Sequence, residues 1–530
     1  MGTPYATRYA RRGMVCAVDH LAAGAGVAML REGGSAADAA VAASAVLAVT
    51  TQHMCGMGGD LLAVVAPPPP TAPVALVAAG RAGSGADPDR LRAEGHRWMP
   101  FRGDIRTVPV PGCVDGWVSL HERFGRLPLA HVLAPAVDYA REGVPAGPTL
   151  AGAAVRVADV ADAGPYAGPL RPGGTVRRPG VALALEGIAA EGRGAFYEGS
   201  FGAGLRALGR GEFSPADLAR GQAEWRDPLG TDVPAWGGRL WTTPPPTQGY
   251  LTLAGAWMAA GLAVPADPDD PAWAHLLIEA ARQAAHDRQD VLHEGAHGAD
   301  LVSPARLGPR RDAITPDRAG ALGGSYSGGG TIGLCAVDED RMGVSLLQSN
   351  ASGFGAHIVE PATGVFLHNR GIGFSLEPGH PAEYGPGRRP PHTLSPLAVT
   401  TSGGELAGVL ATMGGDSQPQ VLLQLLARGA VSGQGPADAV AAGRWALAGG
   451  SPDGPSAFST WSEGGRVTVQ VEAHAPAAWD EGLERRGHTV ARSRERFGHS
   501  FGHAHVIRVE EDHLAGATDP RPRAGAAAGW

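Results

Sequence analysis

The sequence predicts an α/β or α+β fold in which sheets are covered by helices. Two observations lead there. Helical segments built from small or periodically apolar residues occupy much of the first three hundred positions, and short apolar, partly β-branched runs take over from Thr331 onward. Size sets the scale: 530 residues with 44% apolar content can bury one large core or two intimately packed ones.

Taken in order, His20–Arg31 and 36–49 read as two helices separated by Gly33 and Gly34, with Ser35 as N-cap and Asp38 three residues later as its capping-box partner. Their small side chains imply close packing. Prolines 67–70 interrupt the next apolar stretch and mark a loop between strands, because proline donates nothing to a β-ladder. Segments 127–142 and 274–292 carry apolar residues at spacings of three and four, as helices do. Residues 294–330, rich in Gly, Pro and Arg, read as a mobile linker. After it, 332–337 and 343–347 form a hairpin around the polar 338–341 turn. Further strands are expected at 364–367, 406–410, 466–471 and 505–509, a helix at 420–426, and a loosely ordered tail after Thr518.

Composition excludes several functions. The net charge of −8 offers no basic patch to nucleic acid or an anionic membrane surface, and no apolar run is long enough for a signal peptide or a membrane span. A cytoplasmic protein is expected, with no nucleic acid or membrane as partner. Cys16, Cys55, Cys113 and Cys335 are dispersed, which argues against disulfides and a structural zinc site. The chain has no lysine, so all 44 basic residues are arginine. P-loop, Schiff-base and SxxK chemistries all need a lysine amine and are therefore excluded. No cofactor or metal is expected. The only asparagines, Asn350 and Asn369, both fall within forty residues after Thr331.

Three motifs compete for the chemistry. Gly498-His499-Ser500-Phe501-Gly502 is a literal GxSxG, but a nucleophile elbow needs a strand before the serine and a helix after it, and here ARSRERF precedes and a strand follows. A serine hydrolase using Ser500 stays an alternative, and a glycine-flanked turn is the plainer reading. His499, His503 and His505 invite a metal reading without supporting carboxylates or cysteines. The third is SGGGTIGLCAVD, Ser327 to Asp338, in which a glycine run stops at Thr331. A flexible joint before a strand would explain it. So would cleavage between Gly330 and Thr331: the freed α-amine, with a pKa near 7.7 to 8.0, would serve as the base that activates the threonine hydroxyl.

Several segments in fixed order strengthen that last reading: GMVCAVDHLAAGAGVAMLREGGSAADAAVAASAVLAV, GMGGD, PPPTQGY, TIGLCAVDEDRMGVSLLQSNASGFGAHIVEPATGVFLHNRG, ATMGGDSQPQ and AGATDPR. Together they resemble the γ-glutamyltranspeptidase family of N-terminal nucleophile hydrolases over nearly the whole chain. The resemblance implies an α+β, four-layer αββα sandwich, cut into a large fragment, 1–330, and a small one, 331–530, that form one intertwined domain. It implies that Thr331 is the cleaved nucleophile, that Ser349 supports it, and that Gly414 and Gly415 supply backbone donors to an oxyanion. Arg81 falls where the family holds a substrate carboxylate.

The departures shift the expected substrate. Ile332 and Gly333 replace the usual threonine and histidine after the nucleophile. Where relatives have an acid that binds the glutamyl α-amine, Gly373 stands, with Arg370 close before it, and His392 and Thr393 replace a serine pair. Anion recognition is kept and cation recognition is lost, so a glutamyl ammonium would be buried unpaired. The expected activity is hydrolysis of an amide whose acyl part carries a carboxylate and no α-amine (oxamate-like, oxalyl or glutaryl), as in the branch of oxamate amidohydrolases and acylases. A true γ-glutamyltransferase and an oxalyl-type carbon–carbon bond hydrolase stay as alternatives. Expected partners are the small-molecule substrate and the two fragments of the chain itself, with a homodimer left open.

Overall fold

Two seven-stranded, antiparallel sheets face each other at the centre of the structure, a computed structural model that describes residues 5–324, 326, 329–449 and 465–530. One sheet runs Ala526–Gly529, Met14–Ala17, Gly330–Val337, Gly343–Ala351, Asp60–Ala66, Val74–Ala78, Ala223–Arg226. The other runs Arg8–Ala10, Leu514–Thr518, Ala504–Val509, Leu406–Thr412, Leu397–Thr400, Gly238–Thr242, Leu229–Val233. The residues they interleave, among them Cys16, Val64, Leu347, Ala411 and Ile507, form a dry layer between the sheets.

Helices close the two outer faces. His20–Arg31 and Ala36–Thr50 pack on the first sheet, with Leu129–Glu142 against Ala36–Thr50, and Tyr250–Ala260 and Gln418–Ala430 pack on the second, with Pro271–Ala285 against both of them. The result is the α+β, four-layer αββα sandwich. Every residue of Ala36–Thr50 is buried, which explains its alanine-rich composition: only small side chains let it sit between neighbours on all sides. Ser35 and Asp38 form the expected capping box.

Strand parity places the chemistry. In Gly330–Val337, Ile332, Leu334 and Ala336 face the helices, whereas Cys335 and Val337 face the opposite sheet. Thr331 and Gly333 share the inward face with Cys335. By the same alternation Ser349 and Asp60, paired across strands, also point between the sheets. Close approach of the sheets explains Gly333. A Cβ there would lie 2.9 Å from Ala411 Cβ and 3.0 Å from Thr412 N, so a histidine at this position has no room.

Two expectations about order are corrected. Within the expected linker at 294–330, Gly298–Leu301 and Pro304–Asp312 are helical, held in part by Arg306 and Arg310 on Asp287; residues 325 and 327–328 lie outside the described residues. Beyond Thr518, Arg521 is fully buried with ion pairs to Glu472 and Asp519, and Ala526–Gly529 adds a strand beside Met14–Ala17. Asp519 is a near neighbour, but Glu472 lies 49 positions back and Met14–Ala17 at the other end of the chain, out of reach of local patterning. No described helix is long and apolar enough to cross a membrane.

Candidate active site

At one end of the inter-sheet layer, Thr331 and Ser349 meet across adjacent strands, their hydroxyl oxygens 3.0 Å apart and both residues fully buried. Ser349 Oγ donates to the Gly330 carbonyl oxygen at 2.8 Å and accepts from the Ala351 N–H at 2.9 Å. Since its one proton goes to Gly330, the Thr331 hydroxyl donates to Ser349 rather than receiving from it. The Gly330–Thr331 carbonyl is thereby polarised beside a hydroxyl that can attack it.

Arg370 completes this cluster. Its Nη2 lies 3.4 Å from Ser349 Oγ and its Nη1 donates to Thr393 Oγ1 at 3.2 Å. The guanidinium is 1% exposed; burial lowers its pKa to about 10, against the opposing pull of Asp60 and Asp416, so it stays charged at neutral pH. A buried cation between the Ser349 and Thr393 hydroxyls is suited to a small carboxylate.

Asp60, the last residue of GMGGD, anchors this region and was not singled out from the sequence. One oxygen accepts from the Gly80 and Gly112 N–H groups at 2.9 and 3.2 Å. The other lies 3.1 Å from His392 Nε2 and 3.4 Å from His368 Nδ1. Burial alone would raise its pKa, but the two imidazoles outweigh it and hold the carboxyl well below the usual carboxylate range. Leu394 N–H donates to His392 Nδ1 at 3.3 Å, which puts the His392 proton on Nε2, facing Asp60. His392 therefore acts on this frame as an orienting group.

The glycine pair lies past the end of Leu406–Thr412, the strand that Gly333 touches. Gly414 and Gly415 have φ of 143° and 57°, which only glycine adopts without strain. Their N–H directions are fixed indirectly, because N–H and C=O of a trans peptide point opposite ways. Thr412 Oγ1 holds the Met413 carbonyl at 2.8 Å, which aims the Gly414 N–H away from it. Ser417 N and Oγ hold the Gly414 carbonyl at 3.0 and 2.8 Å, which does the same for the Gly415 N–H. Gln248, from PPPTQGY, donates to the carbonyls of Gly415 and Thr393 at 2.9 and 2.8 Å, so one amide ties the glycine turn to the residue that Arg370 contacts. Gln248 in turn accepts from Arg288 at 2.6 Å, and Arg288 pairs with Asp416 at 2.7 Å.

Other sequence candidates sit elsewhere. Arg81 is ion-paired with Glu224 and Glu294, each at 3.1 Å, and donates to the Gly387 carbonyl. To take a substrate carboxylate it would have to exchange one of these partners. Ser500 is exposed on the short 3-10 turn His499–Phe501, ahead of a strand, and lacks the strand–turn–helix of an elbow. His499 Nδ1 meets His503 Nε2 at 2.9 Å, while His505 is buried near Thr518; among the described residues no His, Cys, Asp or Glu group is arranged to hold a metal. The four cysteines are free and buried.

Burial lowers the pKa of His392 and of His505 to about 4, in each case against an opposing acid. In the unfolded chain such rings protonate near 6.5. Between those limits the unfolded state binds more protons, so the stability is complete above about pH 6.5 and is lost as pH falls towards 4, at ~1.4 kcal/mol per pH unit for each ring. Asp60 and Asp519, both depressed, add to the loss at still lower pH. The urea midpoint is expected to fall clearly between pH 7 and pH 5; an unchanged midpoint would contradict the burial of these rings in neutral form.

A family model described as gamma-glutamyltranspeptidase matches residues 22–530. The chain is 34% identical to the oxamate amidohydrolase proenzyme of Klebsiella pneumoniae subsp. pneumoniae, across 99% of this chain and 100% of that protein. It is 30% identical to the glutathione hydrolase-like YwrD proenzyme of Bacillus subtilis, across 96% and 97% of the two chains. Among solved structures, cephalosporin acylase from Bacillus halodurans matches with a TM-score of 0.89 at 31% identity, covering 100% of this chain and 98% of that one.

Proposed function

The chain belongs to the gamma-glutamyltranspeptidase family of N-terminal nucleophile enzymes, and from that premise we propose that it cuts itself between Gly330 and Thr331 and then hydrolyses amides whose acyl part carries a carboxylate but no α-amine. Oxamate-like, oxalyl and glutaryl amides are the substrate class. The observation that carries the reading is Arg370, a buried cation within 3.4 Å of the hydroxyl that partners Thr331.

In self-cleavage, Thr331 Oγ attacks the Gly330 carbonyl carbon while Ser349 donates to its oxygen. The hydroxyl proton passes to the Thr331 nitrogen as the Gly330–Thr331 C–N bond breaks, which leaves an ester and a free α-amine; water then hydrolyses the ester to the Gly330 carboxylate and restores the Thr331 hydroxyl. Because both sheets contain strands from each side of the cut, fragments 1–330 and 331–530 stay together. In turnover, the α-amine takes the Thr331 hydroxyl proton as the oxygen attacks the substrate carbonyl. Gly414 and Gly415 N–H groups receive the oxyanion, the leaving nitrogen takes the proton, and water then hydrolyses the acyl-threonine. Arg370 and Thr393 hold the acyl carboxylate, with His392 orienting their surroundings and Arg81 entering only by exchange with Glu224 or Glu294.

A γ-glutamyl donor is disfavoured at Gly373. A Cβ there would lie 2.6 Å from the Pro391 carbonyl oxygen, so the backbone closes the place an ammonium-binding acid would need. The test is turnover by the processed protein: oxamate or a glutaryl anilide should be hydrolysed faster than γ-glutamyl anilide, and the reverse order would overturn the acyl assignment. Thr412→Val, which removes the bond on the Met413 carbonyl, is expected to lower kcat about 5- to 30-fold with little change in KM, the share of one hydrogen bond worth ~1–2 kcal/mol. A change confined to KM would place the glycine pair outside the transition state.

A further inference from the structure

Beside Gly329 and Gly330 a cavity of about 710 Å³ opens to solvent, and Met413, the residue before the glycine pair, forms another part of its wall. Arg370 and Thr393 do not line it, so it is distinct from the acyl-carboxylate cluster. Its charged walls are Arg102 and Arg156, and no Asp or Glu contributes to it. Arg102 stacks on Phe101 and donates to the Gly353 carbonyl at 3.2 Å. Among the described residues neither arginine has a carboxylate partner, in a chain where Arg81, Arg193, Arg282, Arg288 and Arg521 all do.

A second observation points into the same space. His53 lines the cavity at 8% exposure, and both of its ring nitrogens lack a hydrogen-bond partner among the described residues. Burial, with His499 and Arg156 next in effect, lowers its pKa to about 3, so at neutral pH it offers one N–H donor and one acceptor and no charge. His499 and His503 line the same cavity, and burial lowers the pKa of both, so the positive charge of the chamber resides on the two arginines.

We propose that this chamber is the subsite for the leaving amine and that Arg102 and Arg156 read an anionic group on it. With Arg370 on the acyl side, the substrate class becomes an amide anionic at both ends: an N-(carboxyacyl) amino acid. This rests on the acyl reading above for one end only. The arginines are exposed, so their effect is screened by salt and amounts to about tenfold rather than the larger factors of buried pairs.

The test crosses three acyl groups (oxalyl, glutaryl, γ-glutamyl) with two amines of similar size, glycine and ethylamine, and measures kcat/KM at low and high salt. For an acyl group that is turned over, the glycine amide is expected to be favoured about tenfold at low salt, with the ratio falling towards one at high salt and in Arg102→Gln, Arg156→Gln and the double variant. Equal kcat/KM for the two amines in the wild-type enzyme would overturn this proposal and leave the acyl reading intact. Turnover of γ-glutamyl amides alone, still with an arginine-dependent glycine preference, would sink the acyl reading and uphold this one.

Discussion

Thr331→Ala is expected to remain one 54.0 kDa chain and to lose hydrolytic activity by about 10⁴-fold or more. Both effects have one origin. Among the described residues it is the Thr331 hydroxyl that stands beside the carbonyl Ser349 polarises, and without its attack no α-amine is freed to act as base. Thr331→Ser keeps an attacking oxygen and is expected to process and turn over, though more slowly. Electrophoresis under denaturing conditions reads the first effect and amide hydrolysis the second. An alanine variant that still split at 330–331, or that stayed intact and active, would remove Thr331 from the mechanism.

Arg370→Met is expected to lower kcat/KM for oxalyl or glutaryl amides by about 30- to 1000-fold, the factor that follows when ~2–4 kcal/mol of buried charge recognition is lost. Methionine keeps an unbranched chain of similar reach, which limits the cavity left behind. The informative comparison is a neutral acyl amide, such as an acetyl compound, which never engaged the guanidinium. Its hydrolysis should fall far less. An equal loss on both would mean that Arg370 serves only to hold Ser349 and Asp60 in place. Urea unfolding of the variant separates that case from simple destabilisation, because removing a cation that Asp60 and Asp416 offset also costs the fold.

What was legible in the sequence and what was not divides along contact range. The capping box at Ser35 and Asp38, the strand at Thr331 and its hairpin to Ser349 depend on neighbours a few to twenty residues away, and the periodicities that encode them are local. Thr331, Ser349, Arg370 and Thr393 do fall into one cluster. The fixing groups escaped notice because each works at a distance. Asp60 meets His392 across 332 positions and Gln248 meets Gly415 across 167. Their motifs, GMGGD and PPPTQGY, were visible, but nothing in the local pattern says which distant carbonyl or imidazole they hold. Arg81 illustrates the converse. An arginine in a suitable motif looks available until the fold brings Glu224 and Glu294 to it. Gly333 looked like a missing histidine, and the spacing of the two sheets turns it into a packing requirement.

The self-cleavage site is the claim on which all the chemistry depends, and N-terminal sequencing of the purified protein's smaller fragment tests it most directly. Two fragments are expected after denaturation, co-purifying until then, and the smaller should begin Thr-Ile-Gly, the residues Thr331, Ile332 and Gly333. A single uncut chain that hydrolyses its substrate, or a fragment beginning at any residue other than Thr331, would contradict the account.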